Sequence, residues 1–198
     1  MNQLTTIFLG PQGCGKGTQI QLLKDYIAKQ DQTPMVHFEM GKALRDRATK
    51  DDYTGVSTKD ILAGGNLIPY VVSASLFALH LMDNIKTGKE HLFIDGIPRT
   101  AEQVPTVDSA MEFFKRERPT VVCINISDEE ALKRLLARGR SDDTEDGIRK
   151  RLAWSREQTM PNIEWFKANP RYRVIDINGE RPIEEVSADI IAQVTANS

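Results

Sequence analysis

The strongest chemical signal in the chain is the run Gly10-Pro11-Gln12-Gly13-Cys14-Gly15-Lys16-Gly17-Thr18. It satisfies G-x-x-x-x-G-K, with Gly17 in the place that usually holds Ser or Thr and Thr18 next. Glycines let a backbone curl until successive N–H groups point at one phosphate group. A helix starting there adds its partial positive charge, and Lys16 adds a full one. Cys14 reads as a small side chain that lets the phosphate come close. A second group is Phe93-Ile94-Asp95-Gly96-Ile97-Pro98-Arg99-Thr100. If its strand lies beside the one before the glycine loop, Asp95 stands next to the phosphates, where it can order the water shell of Mg²⁺. Arg99 would reach the same crevice. The third group is Arg134, Arg138, Arg140 and Arg151. Phosphoryl transfer needs several cations around the moving group, and arginine forks match phosphate oxygens. Arg138 and Arg140 flank Gly139, with Asp142 and Asp143 placed to orient them. The competing reading of that arginine set is a solvated helix face. His37, His80 and His91 have no ligand-like spacing, and Trp154, Trp165 and Phe166 read as packing residues.

Elements able to hold these groups follow from the hydrophobic pattern. Apolar or β-branched runs at 4–9, 35–38, 91–95, 121–126 and 174–177 predict strands, most of them apolar enough for burial on both faces. Helical periodicity covers 16–30, 67–86, 100–115, 128–138, 144–167 and 183–196. Within 128–138, Leu132, Leu135 and Leu136 share a face, and Ser127 with Glu130 reads as a capping box. Strands alternating with helices predict a three-layer α/β/α domain around a five-stranded parallel sheet. Two stretches break the rhythm. Residues 41–66 hold helical fragments but no strand, and 138–146 is a polar turn between helices.

Composition closes off other classes. The chain has 198 residues, 40% hydrophobic and 27% charged, enough for one domain. A net charge of −2 offers no basic field for nucleic acid, and two cysteines build neither a disulfide framework nor a zinc site. Residues 61–82 carry no Asp, Glu, Lys or Arg, but Gly64, Gly65, Asn66 and Pro69 interrupt them, so they read as a buried helix rather than a membrane span. The first residues lack the pattern of a signal peptide, which predicts a cytoplasmic, soluble protein.

The motifs GPQGCGKGTQ, MGKALR, GGNLI, FIDGIPRTAEQ, the stretch from Arg134 through RGRSDDTEDGIRKRL, and NGERP stand in this order across nearly the whole chain. Together they resemble the adenylate kinases and the wider nucleoside monophosphate kinases. The resemblance implies a P-loop NTPase fold over 1–198, with a small monophosphate-binding insert at 40–69 and a lid reduced to a turn at 137–145. It implies transfer of the ATP γ-phosphoryl group to AMP with Mg²⁺ and without zinc, by a monomer whose partners are nucleotides. CMP and UMP are the alternative acceptors. By position, Gly13, Cys14, Gly15, Lys16, Gly17 and Thr18 would hold the ATP phosphates, with Arg134 and Arg138 on the same side and the Arg181 backbone near the ATP base. Arg45 and Arg99 would take the monophosphate, and Gln103 its base. Met40, Asn66, Leu67, Ile68, Gly96, Ile97 and Pro98 would line that subsite. Arg140 and Arg151 would bridge the two phosphate chains, and Asp95 would hold magnesium through water. Lys16, Arg99, Arg134, Arg140 and Arg151 would supply the catalytic charge.

The chain departs from the family at Met40-Gly41-Lys42, where Thr-Gly-Asp is usual, and at Glu39, where a small Ser is usual. Lys42 is therefore expected to bring positive charge near the phosphates. These changes leave open a nucleotide-binding module with little or no transferase activity. A GTPase-type switch is disfavoured, because Asn-Lys-x-Asp is absent and Asp95-Gly96-Ile97-Pro98 is not Asp-x-x-Gly.

Overall fold

The computed structural model describes residues 3–139 and 144–196. Strands β1 (Thr5–Leu9), β2 (Met35–Glu39), β3 (His91–Asp95), β4 (Thr120–Asn125) and β5 (Arg173–Asn178) form one sheet in the order β2-β3-β1-β4-β5. Every pairing is parallel. The helices are α1 (Lys16–Ala28), α2 (Met40–Ala48), α3 (Tyr53–Ala63), α4 (Tyr70–Asn84), α5 (Val104–Phe113), α6 (Asp128–Arg138), α7 (Glu145–Trp154), α8 (Met160–Ala168) and α9 (Ile183–Thr195).

Alternation along the strands divides the core. Ile7, Leu9, Leu92, Ile94, Val121 and Cys123 face one side, where Phe77 and Leu81 of α4, Val107 and Met111 of α5, and Phe166 of α8 cover them. Their neighbours Phe8, Phe93, Val122 and Ile124 face the other, against Ile20, Leu23 and Ile27 of α1 and Val186 and Ile190 of α9. Both faces are filled, so the central strands read as continuous apolar runs. The expected three-layer α/β/α architecture is present.

Several helix bounds differ from expectation, each for a local reason. Helix α4 starts at Tyr70 with Pro69 as its N-cap, and only one face is buried, through Ser73, Phe77 and Leu81. Val71, Leu79 and Met82 are more than half exposed, so the helix is amphipathic rather than buried all round. Among the described residues no helix is long and apolar enough to cross a membrane. The segment 100–115 divides into a 3₁₀ turn (Ala101–Gln103) and α5, which has a proline in its first turn. The segment 144–167 divides into α7, a π turn (Ser155–Thr159) and α8.

On α6 the buried residues are Ala131 and Leu135, which meet Ile148 and Leu152 of α7, while Leu136 is 45% exposed. The Ser127 side chain accepts from the Glu130 amide, as expected. The Glu130 carboxylate does not return to Ser127: it accepts from Arg134 at 2.7 Å, and the Ser127 amide donates to Glu180 instead. The capping box is half formed because each of its remaining groups has a stronger partner.

Phe77 is fully buried and packs edge-on against Phe38 at 5.2 Å between ring centres. Phe77→Ala is expected to cost about 3–5 kcal/mol in urea unfolding, whereas the same change at Phe113, 75% exposed, should cost under about 1 kcal/mol.

Candidate active site

The phosphate loop lies between β1 and α1, and close packing dictates its first residue. At Gly10, φ is +139°, and a Cβ there would stand 2.3 Å from the Ile124 carbonyl oxygen, so only glycine fits against β4. Helix α1 starts at Gly15 with no side-chain cap, which leaves its first N–H groups for a ligand. Lys16 folds back over the loop: Nζ donates to the carbonyls of Gly10 at 2.9 Å and Pro11 at 3.0 Å. Cys14 is buried with its Sγ 3.5 Å from that ammonium.

Asp95 stands where the sequence requires. β3 pairs directly with β1, and Asp95 is in register with Phe8, two residues before the loop begins. α1 leaves β1 on one face of the sheet while α5 follows β3 on the other, so a crevice opens between the two strand ends. Asp95 is 9% exposed, and burial pushes its carboxyl up from the ordinary carboxylate range despite the nearby Lys16 and Arg99. A buried carboxylate at a phosphate loop gains from a hydrated dication, so the donor set fits Mg²⁺ held through water.

Arg99 is positioned by three bonds. Its backbone N–H donates to Gln103 Oε1 at 2.6 Å, its Nε donates to the Gly96 carbonyl at 3.0 Å, and its own carbonyl accepts from Thr159 Oγ1 at 3.0 Å. Burial lowers the pKa of its guanidinium, and Asp95 opposes that effect while Arg151 and Arg45 add to it. Three arginines therefore converge on one region, a cost that an anion would relieve.

One cleft of about 1180 Å³ takes in both halves of this chemistry. Gly13, Cys14, Gly15, Lys16, Gly17, Thr18, Arg134, Arg138 and Arg181 line it from the loop side. Arg45, Asn66, Leu67, Ile68, Asp95, Gly96, Pro98, Arg99 and Arg151 line it from the other. Arg140, Asp142 and Asp143 lie outside the described residues.

Three expected lining residues sit beneath the surface instead. Met40 and Ile97 are buried in the core. Gln103 is 5% exposed, with Oε1 given to Arg99 and Nε2 donating to Ser73 Oγ at 2.9 Å. Helical periodicity explains Met40 and also corrects the expectation for Lys42. On α2, Met40 faces the core, Leu44 is buried where core and cleft wall meet, and Gly41 and Arg45 face the cleft. Lys42 falls on the remaining face, 67% exposed and paired with Asp46. It does not line the cleft.

Sequence reasoning also missed residues that do. Trp154, read as packing, lines the cleft, and Lys150 Nζ lies 5.7 Å from the centre of its ring. The same Nζ donates to Asn66 Oδ1 at 2.8 Å, tying α7 to the loop after α3. The π turn brings Ser155 and Thr159 to the wall, and no pattern in the sequence marks that turn. Glu39 lines the cleft as well, where its acidic side chain contacts Arg45.

Comparison with known proteins agrees with this geometry. The family model described as adenylate kinase matches residues 8–171. The adenylate kinase of Leptospira biflexa is 33% identical over 194 residues, covering 95% of this chain and 98% of that one. Adenylate kinase 1 of Nostoc sp. is 31% identical over 186 residues, covering 94% and 96%. The adenylate kinase of Corynebacterium urealyticum is 30% identical over 181 residues, covering 91% and 93%. With the family match running from the phosphate loop's own strand to beyond α8, and relatives aligned almost end to end, this chain belongs to the adenylate kinase family.

Proposed function

We propose that the protein transfers the γ-phosphoryl group of Mg-ATP to AMP, giving two ADP, as a cytoplasmic monomer. The observation that carries this reading is the one cleft whose lining includes both the Lys16 loop and Arg45, Arg99 and Arg151. Its volume of about 1180 Å³ leaves room for two phosphate chains to meet. The changes at Met40 and Lys42, which raised the prospect of an inactive module, fall in the core and on the solvent face of α2.

A phosphate oxygen of AMP attacks the γ-phosphorus, and the bond from that phosphorus to the β–γ bridging oxygen breaks as ADP leaves. The transition state is loose, so positioning and charge stabilisation provide most of the catalysis. Lys16 exchanges its carbonyl partners for phosphate oxygens of ATP. Arg45 and Arg99 hold the acceptor phosphate, while Arg134, Arg138, Arg140 and Arg151 neutralise charge on the transferring group. Asp95 would hold Mg²⁺ through its waters, and that ion would neutralise β- and γ-phosphate oxygens. We assign 40–69 as the acceptor-binding insert and 137–145 as the vestige of a lid. Gln103 acts on the acceptor side by fixing the Arg99 turn.

Lys16→Met should lower turnover at least about 100-fold, the scale of losing one preorganised charge contact, in a coupled ADP-production assay. Near-parental activity would reject the mechanism. In a panel of monophosphates with ATP, AMP should be the best acceptor, and a tenfold preference for CMP or UMP would reject the adenylate assignment. Lys42→Asp should leave the magnesium dependence of turnover superimposable on the parent's, since the ammonium faces solvent.

A further inference from the structure

One charged contact in the cleft serves neither the fold nor the chemistry described so far. Glu39 ends β2 and occupies the N-cap position of α2, yet its side chain does not cap that helix. Instead Oε1 accepts from Arg45 Nη2 at 2.9 Å, across six positions of the chain. The floor beneath the pair is Gly41. A Cβ there would stand 3.0 Å from Arg45 Nη1 and 3.4 Å from Glu39 Oε1, so the pair lies close against the backbone of α2. Both partners are accessible from the cleft, with side chains 34% exposed for Glu39 and 48% for Arg45. Glu39 is also in register with Asp95 on β3, so two carboxylates stand at adjacent strand ends where an acceptor phosphate must arrive.

We propose that Glu39 is an internal counter-ion that occupies Arg45 in the absence of acceptor, and that an incoming monophosphate must displace it to bind. The inference rests on the acceptor assignment made above. Glu39 holds Arg45 over the cleft and keeps a carboxylate where the phosphate dianion belongs. Binding then exchanges one anionic partner of Arg45 for another and leaves Glu39 facing the new charge. The chain gains an oriented, charge-compensated arginine in the free protein, and the cost falls first on acceptor affinity. The ATP phosphates meet Lys16 and the α1 N-terminus, and Glu39 reaches that side only through the field of its charge on Asp95.

The direction of the effect separates this role from a structural one. If Glu39 merely braced α2, removing it would weaken acceptor binding. If it competes with the acceptor, removing it strengthens binding. Steady-state kinetics of the full chain with AMP varied at saturating ATP, and then the reverse, should show the acceptor KM falling about two- to tenfold in Glu39→Gln, with KM for ATP held. Glu39→Ser should behave likewise, which guards against an effect peculiar to the amide. In an Arg45→Gln background the Glu39→Gln gain should shrink, because the contact it releases is gone and only the repulsion between carboxylate and phosphate remains to be relieved. Calorimetric titration with AMP alone should reproduce the tighter binding in variants whose thermal melts match the parent's. An acceptor KM that is unchanged or raised in both Glu39 variants overturns the proposal. So does a gain that is undiminished without Arg45. A parent enzyme with no AMP-dependent turnover would instead overturn the functional assignment, independently of either variant.

Discussion

The parallel pairing of β1 with β3 is the constraint on which the site depends. It places Asp95 level with Phe8 and therefore beside the phosphate loop, though the two lie far apart in sequence. Because the helices following these strands pack on opposite faces, a crevice opens above their carboxyl ends. The same pairing stacks Glu39, Asp95 and the loop along one edge of the sheet. Each side of the sheet is a filled apolar layer, so these ends are held rigidly.

The cations of the cleft are stabilised in the free protein by local partners. Lys16 rests on the carbonyls of its own loop, Arg45 on Glu39, Arg134 on Glu130 and Arg181 on Asp189. The carboxylate pairs are partly exposed, and such pairs contribute about 0–1 kcal/mol, so nucleotide phosphates can exchange for them cheaply. Arg99 differs. Its position is set by backbone and buried amide contacts that a phosphate does not contest. Arg99 is thus held by contacts of a different kind from those of Arg45, Arg134 and Arg181.

The connection between α6, which ends at Arg138, and α7, which begins at Glu145, is short. The bridge from Lys150 to Asn66, with Trp154 beneath it, joins α7 to the loop after α3. The short connection and the bridge act on the same helix, which also carries Arg151.

The strands, their alternation with helices, the phosphate loop and the carboxylate beside it were legible in the amino-acid sequence. Those features are local: a β-branched apolar run, a glycine spacing and a strand-end Asp are written in contiguous residues. The sequence also marked Arg45, Arg99, Arg134, Arg138 and Arg151, which all reach the cleft. Packing across the folded chain set which face each side chain takes and which neighbour reaches it first. Met40 and Lys42 are two residues apart on α2, yet one lies in the core and the other in solvent. Gln103 lies under the floor because Arg99 and Ser73 use both ends of its amide. Glu39 enters the cleft through a contact to Arg45, and Ser155 and Thr159 reach it through a turn of π geometry; neither follows from residue type or spacing. Helix phase and competition among hydrogen-bond partners are settled by packing across the whole chain, which a linear pattern does not encode.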